Sequence, residues 1–356
     1  MEWIWRTLAG GGKISWTGDV NSRFCRGVNF ISAGFTYLYL AEWTGAFWIL
    51  GSSFWLHCVA AMLFAFGLFL IYRRGALRAR SLERLIAFGP LFFAWPLAVF
   101  GMQHPVFLHE VMGVVPAWMP GHMFWAVLVG IALVAASLSI ITGIKAELAA
   151  LMVGVMLFLF VLLIYVPNLV ENPGHLAVTM LLRDLSLSGG ALALAGTLAE
   201  KGHWRRFGWI AVLGRYFFAV AIGDFGVENF LHPDFAPVVP EPDLLMPAWM
   251  PGHVAWAYLT GTVLVACSVA MLLNWRARLA ASVAGIAFLV LVIGVYLPME
   301  IVHPSFEISG ELDQLAQALG MSGAALLVAG GQKRKEAEVS AVHSIDRRRE
   351  SQVGAI

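Results

Sequence analysis

The sequence is poor in charge and has no closely spaced cysteines. Only 13% of its 356 residues are charged and 60% are apolar, whereas soluble domains have about 25% and about 45–50%. A net charge of +1 gives no electrostatic basis for binding nucleic acid. Cys25, Cys58 and Cys267 form no CxxC pair, which argues against a thiol–disulfide enzyme or a zinc knuckle. The composition predicts an all-α polytopic membrane protein.

Nine segments are apolar over the roughly 20 residues that a membrane-spanning helix needs. They are residues 45–72, 82–103, 122–143, 147–166, 180–199, 207–230, 253–274, 277–297 and 311–330. Residues 24–43 are also apolar but contain Arg26, Asn29 and Glu42, so an interfacial or re-entrant helix is favoured over a tenth span. The first 22 residues lack the apolar run of a secretory signal, and no cleavable leader is expected.

Lys and Arg are absent from four alternate loops, at residues 104–121, 167–179, 231–252 and 298–310. The remaining loops after the first span, and the C-terminal segment, carry basic residues, and by the positive-inside rule that side is cytoplasmic. Nine spans would leave the basic N-terminus outside, whereas a tenth would bring most of its charge inside, so both topologies stay open. Residues 331–356 are polar and charged, and are predicted to be a disordered cytoplasmic tail.

The phrase PAWMPGH occurs twice, at residues 116–122 and 247–253. At the same spacing of 131, LIYVPNLVENP (163–173) aligns with GVYLPMEIVHP (294–304). We therefore predict two parallel four-helix copies, residues 82–200 and 207–330, related by an axis along the membrane normal. Residues 1–81 would form an additional N-terminal element with one interfacial and one spanning helix.

The repeated phrase has residue types that suit a helix start at the membrane surface. Tryptophan favours the headgroup level, proline favours the first helical position, and histidine follows in the first turn. These residues are Trp118, Pro120 and His122 in the first copy, and Trp249, Pro251 and His253 in the second. The structural interpretation is a membrane-surface anchor followed by a helix start; the alternative makes the two histidines ligand-binding residues.

Four motifs in this order resemble the DoxX-like family of four-helix membrane proteins: GMQH, PAWMPGH, YVP and the small-residue helix SLSGGALALAG. The resemblance covers residues 82–200 and 207–330 separately. The best-known relatives are membrane subunits of a thiosulfate:quinone oxidoreductase, and many members have no assigned activity. The resemblance implies a redox-associated subunit of a bacterial inner membrane, with quinone as ligand and a soluble oxidoreductase as partner. It leaves open whether the chain is itself an enzyme.

Polar residues near the predicted outer ends of the spans are the candidate ligand-binding groups, because such residues inside a bilayer are costly. They are Gln103, His104 and His122 in the first copy, and Asp224, Glu228, Asn229 and His253 in the second. A quinone head group favours neutral donors such as Gln103 and His104. A proton or cation favours Asp224 and Glu228, which lie four residues apart and so share one helix face.

Three functions remain after this reading: a quinone-linked subunit, a carrier of an ion or small molecule, and a membrane scaffold without chemistry. No metal site is predicted.

Arg183 and Asp184 are expected to pair with each other or with the outer loops. His57 is expected to be a neutral histidine bonded to a neighbouring helix, since it has no facing partner for haem ligation.

Overall fold

A computed structural model describes residues 47–79, 81–201, 205–239, 246–247, 250, 252–306 and 308–353, with residues 47–54, 201 and 333–353 described by their backbone alone. The chain divides into a first unit, residues 1–55, and a compact second unit, Leu56–Ile356. The second unit contains the helices discussed below, apart from residues 47–55 at the start of the first helix. The predicted interfacial helix at residues 24–43 lies outside the described residues.

The secondary structure in the described ranges is helical. The helices are α1 (Phe47–Arg73), α2 (Ser81–Val106), α3 (Leu108–Val114), α4 (His122–Thr142), α5 (Ala146–Phe160), α6 (Val166–Glu171), α7 (His175–Lys201), α8 (Ile210–Leu231), α9 (His253–Leu272), α10 (Ala277–Leu291), α11 (Leu297–Val302) and α12 (Glu311–Val353). Short 3₁₀ turns occupy Ala76–Arg78 and Arg205–Phe207, and π-helical turns at Val161–Tyr165 and Val292–Tyr296 join α5 to α6 and α10 to α11.

Nine helical segments in the described part of the chain are long and apolar enough to cross a membrane. They coincide with the nine predicted spans, and the prediction of an all-α polytopic membrane protein is confirmed. The two least apolar spans, in α7 and α12, are also the most buried, and every residue from 312 to 329 in α12 is buried. This arrangement agrees with the cost of exposing polar residues to lipid.

The same order of elements recurs at the spacing of 131 residues. Both α4 and α9 follow a left-handed glycine, Gly121 and Gly252, where the absent Cβ removes the steric penalty of positive φ. Both α5 and α10 run for 15 residues into a five-residue π-helical turn, after which a proline lies in the first turn of the next helix. Proline lacks an N–H, so the α-helical ladder must break at that point.

The eight long helices from α2 to α12 pack in chain order, with each helix against the next: α2, α4, α5, α7, α8, α9, α10 and α12. The series closes because α12 packs against α2, and α7 also packs against α12 across the centre. In that central contact a Cβ on Gly190 would lie 2.5 Å from Ala324, and Ser186 donates a hydrogen bond to Met321. Ser186 meets Met321 and Gly190 meets Ala324, so the residue numbers rise together along the two helices. The helices α7 and α12 therefore run in the same direction.

Small residues allow the central helices to approach closely. A Cβ on Gly323 would lie 2.3 Å from the backbone nitrogen of Phe93 in α2, and one on Gly214 in α8 would lie 2.3 Å from the carbonyl oxygen of Gly189 in α7. The predicted small-residue segments of α7 and α12 therefore lie at backbone-to-backbone contacts. Substituting these glycines would require the helices to separate.

Two local predictions differ from the structure. The segment after residue 331 was predicted to be disordered, but it continues α12 as a helix to Val353. The prediction used only the polarity of the segment, whereas its Lys, Arg, Glu and Ala residues have high helix propensity. Pro120 precedes Gly121, the N-cap of α4, and so lies before the helix instead of at its first position. Trp249 and Pro251 lie outside the described residues.

Candidate functional site

His175, Glu228 and His232 bring three potential metal ligands together where α7 begins and α8 ends. Nδ1 of His175 lies 3.1 Å from Oε2 of Glu228, and Nε2 of His232 lies 3.6 Å from the same oxygen. One ligand atom from each residue lies within 4.8 Å of the others. Two ligands of one tetrahedral Zn²⁺ stand about 3.4 Å apart, as follows from metal–ligand distances of about 2.1 Å. The three side chains are thus close to the spacing that a metal ion requires.

Aromatic contacts hold the two imidazoles of this His–Glu–His cluster. The ring of Phe235 stacks on His232 at 4.9 Å with 12° between the planes, and it lies 5.8 Å from the ring of His175. The imidazoles are themselves 4.8 Å apart. The side chains of Glu228 and His175 are mostly buried, at 14% and 23% exposure, whereas His232 is 43% exposed. The cluster is consequently open toward solvent on one side.

Asp224 extends the cluster toward the interior of the bundle. It lies four residues before Glu228 in α8, about 6 Å along the helix axis, and interacts electrostatically with Glu228 and His175. Its Oδ2 atom is buried and accepts no hydrogen bond in the structure. The predicted proximity of the two acids on one helix face therefore holds, and both lie near His175.

A second group of polar side chains lies at the α7–α12 contact; we name Arg183, Asp184, Tyr165, Asp313, Gln317 and Gln103 the central polar cluster. Arg183 contacts Asp184 at 3.3 Å and donates to the hydroxyl of Tyr165 at 3.3 Å. Asp313 accepts hydrogen bonds from Gln317, at 2.9 Å, and from Gln103. The predicted Arg183–Asp184 pair is present, and it faces the bundle centre.

His104 and Asn229 occupy matching places in the two halves. Nδ1 of His104 lies 2.8 Å from the carbonyl oxygen of Phe100, and Nδ2 of Asn229 donates to that of Phe225 at 2.7 Å. Each side chain sits against a glycine of the following long helix, Gly130 in α4 for His104 and Gly261 in α9 for Asn229. These two predicted ligand residues therefore take part in helix packing.

The two histidines of the repeated phrase begin their helices and do not join either cluster. His122 is the first residue of α4, and His253 is the first residue of α9. Nε2 of His253 lies 3.4 Å from Oδ1 of Asp234, and both side chains are exposed, so the pair contributes little stability. Trp118 is 66% exposed; its position at the membrane surface stays a prediction.

His57 has the interhelical partner that the sequence could not identify. Its Nε2 lies 3.0 Å from Oε1 of Glu300 in α11, and its ring meets Phe306 edge-on at 5.6 Å. This contact gives His57 a carboxylate partner on a neighbouring helix. It fixes α1 against the end of α11.

Sequence reasoning identified Glu228 and Asp224 but not the histidines that meet them. His175 and His232 fall in the Lys- and Arg-free segments 167–179 and 231–252, on the predicted side of Glu228. His175 nevertheless comes from a different helix, so the convergence depends on how α7 packs against α8. The assignment of no metal site followed from the absence of a local ligand motif. Metal ligands need to converge only in space.

Comparison with protein-family models, curated proteins and solved structures finds no significant match for this chain.

Proposed function

We propose that this integral membrane protein binds a divalent first-row transition-metal ion, such as Zn²⁺, through His175, Glu228 and His232, and that it carries the ion toward the membrane interior. Two imidazoles and one carboxylate are ligands that Zn²⁺ and its neighbours accept. The observation that carries the proposal is the approach of both histidines to one oxygen of Glu228. A single ion pair would account for only one of these histidines.

Carriage is supported by the position of Asp224. A three-ligand site leaves at least one coordination position open, which suits exchange with water or with another ligand. The buried, unpaired Oδ2 of Asp224 lies about one helical turn deeper than Glu228. A metal ion that leaves the two histidines would meet this carboxylate next.

The binding step is tested by calorimetric titration of the purified full-length protein with ZnCl₂. One ion should bind per chain, and His175→Ala, Glu228→Gln and His232→Ala should each weaken binding by tenfold or more. His303→Ala, an exposed histidine at the end of α11, is the matched control and should bind as the wild type does. Equal affinity in all four variants would contradict the site.

The carriage step is tested in proteoliposomes that contain a zinc-sensitive dye. The wild type should admit Zn²⁺ faster than empty vesicles, and Asp224→Asn should slow entry while retaining most of the equilibrium binding. If the wild type binds zinc but vesicles with and without it fill equally, the protein is a metal-binding scaffold.

The quinone-linked function implied by the DoxX-like resemblance is our second proposal. It is favoured by the recurring order of elements in the two halves, each with four long helices, as the resemblance implies. The geometry of the donors weighs against it, because Gln103 is 5% exposed and bonded to Asp313, and His104 contacts the Phe100 carbonyl. Quinone recovered in stoichiometric amount by solvent extraction of the purified protein would support this function over metal carriage. A soluble oxidoreductase that co-purifies with the protein would do the same.

The proposed orientation places the His–Glu–His cluster on the non-cytoplasmic side of a bacterial inner membrane and the C-terminus in the cytoplasm. It follows from the distribution of Lys and Arg among the loops. Divalent ions would then enter from the side whose loops carry carboxylates and no basic residues.

A further inference from the structure

The central polar cluster is separate from the His–Glu–His cluster and has an unbalanced charge. Among the described residues it contains one guanidinium, Arg183, and two carboxylates, Asp184 and Asp313, so one negative charge is left over. Asp184 and Asp313 are 6% and 7% exposed. An uncompensated charge at such a position costs several kcal/mol, so the cluster requires one further positive charge.

Asp313 is the acid that has no direct cationic partner in the part of the chain that the structure describes. Asp184 contacts Arg183 at 3.3 Å and hydrogen-bonds to Tyr165. The close partners of Asp313 are neutral: the amides of Gln317 and Gln103 and the backbone of Ser309, with Arg183 acting only through longer-range electrostatics. The excess negative charge therefore resides on Asp313.

An orphaned acceptor lies beside this carboxylate. Nε2 of Gln317 donates to Oδ2 of Asp313 at 2.9 Å, while Oε1 of the same amide is buried and has no hydrogen-bond partner among the described residues. Gln317 as a whole is 4% exposed. Buried polar atoms normally have a partner, so this oxygen points to a missing donor or cation next to Asp313.

We propose that the central polar cluster binds one monovalent cation, a proton or Na⁺, between Asp313 and Oε1 of Gln317. Either ion neutralises the excess charge and satisfies the orphaned oxygen. The groups that face the site are Arg183 and Asp184 from α7, Tyr165 from the π-helical turn and Gln103 from α2. Because α2, α7 and α12 meet there, occupancy of the site stabilises the centre of the bundle.

The test measures thermal stability of the purified full-length protein with EDTA present, so that the proposed metal site is empty. One series varies pH at constant choline chloride, and the other replaces choline chloride by NaCl at pH 8. An ion that binds only the folded state stabilises it by RT ln(1 + [L]/Kd), which grows with the logarithm of the ion concentration above Kd. The wild-type Tm should rise as the pH falls if the ligand is a proton, or rise with the logarithm of the NaCl concentration if it is Na⁺.

Asp313→Asn removes the excess charge and should abolish that dependence while keeping the bundle folded. Gln317→Leu should shift the half-saturation point toward higher cation concentration by roughly tenfold. Glu311→Gln is the matched control, because Glu311 begins the same helix but is not a partner of Asp313. It should respond as the wild type does.

Carbodiimide labelling of the wild-type protein keeps the test valid if Asp313→Asn fails to fold. This reagent modifies protonated buried carboxyls, so Asp313 should be labelled, with loss of labelling on adding base or NaCl. Identical pH and salt responses in wild type and Asp313→Asn, or no labelling of Asp313 at any pH, would overturn the proposal. Zinc titration of Asp313→Asn should be normal, which separates this site from the proposed function.

Discussion

Nδ1 of His175, the first residue of α7, lies 3.1 Å from Oε2 of Glu228 in the last turn of α8. The contact joins the beginning of one candidate spanning helix to the end of the next. A carboxylate at this level would otherwise be drawn toward solvent. The histidine holds it within reach of His232 and close to Asp224.

The stacking of Phe235 on His232 should contribute to metal affinity. Phe235→Leu removes a ring contact worth about 0.5–1.5 kcal/mol and lets the imidazole rotate, so zinc affinity should fall by roughly two- to tenfold. Calorimetric titration measures the change. Phe230→Leu is the control, since Phe230 stacks on Tyr258 away from the cluster; an equal loss in both variants would contradict an orienting role.

The close contact of α12 with α2 predicts a large difference between two glycine substitutions in one helix. A Cβ at Gly323 would lie 2.3 Å from the backbone of Phe93, whereas one at Gly330 would meet Ile86 at an ordinary 3.4 Å. Gly323→Ala should destabilise by about 1–3 kcal/mol through overpacking. Gly330→Ala should be neutral or gain up to about 1 kcal/mol from helix propensity. Unfolding in detergent measures both, and similar stabilities would refute the packing.

The indole of Trp95 should be important for attaching α1 to the bundle. Its Nε1–H donates to the carbonyl oxygen of Ala60 at 2.7 Å, and Trp95 is 6% exposed. Trp95→Phe removes this interhelical hydrogen bond, while the carbonyl keeps its donor within α1, and should cost about 0.5–1.5 kcal/mol. The same change at Trp209, which is 59% exposed, should have little effect. Thermal melts compare the two variants, and equal melting temperatures would contradict the contact.

An ion pair between Arg278 in α10 and Glu83 in α2 closes the opposite end of the bundle. The side chains are 18% and 29% exposed, so water screens the pair only in part. A double-mutant cycle with Arg278→Met and Glu83→Gln should give a coupling energy of about 1 kcal/mol. Additive effects of the two single changes would show that the pair contributes no stability.

The predicted topology is checked by accessibility of single cysteines in intact cells, after replacement of the three native cysteines. Ala117, in the exposed part of the first PAWMPGH phrase, should react with an impermeant thiol reagent after Ala117→Cys. Leu77, exposed in the basic turn Ala76–Arg78, should react after Leu77→Cys only once cells are lysed. The reverse pattern would place the basic loops outside.

The positions of the spans could be predicted because each depends on local composition. A run of about 20 apolar residues must satisfy its own backbone hydrogen bonds in lipid, and the helix is the way for a single segment to do so. Gly121 and Gly252 likewise mark their helix starts within a few residues of sequence. The C-terminal extension of α12 was not predicted, because its charged residues are as compatible with a solvated, disordered segment as with a helix.

The repeated phrases alone could suggest that the halves share one pattern, but not which helices touch. The packing of α12 on α2 and of α7 on α8 joins the last helix of each half to the first helix of the other. Glycine and alanine permit that approach in many registers. Only the tertiary structure selects one.

What the sequence determined by itself was therefore a membrane protein with at least nine spans, matching halves and a group of acids and histidines assigned to one side. The tertiary structure decided that Glu228 meets His175 and His232, and that Gln103 meets Asp313. The reason is physical: hydropathy and helix caps act over a few neighbouring residues, whereas a ligand site requires side chains from separate helices to lie within a few ångströms. That distance is fixed by backbone contacts such as those at Gly189 and Gly323.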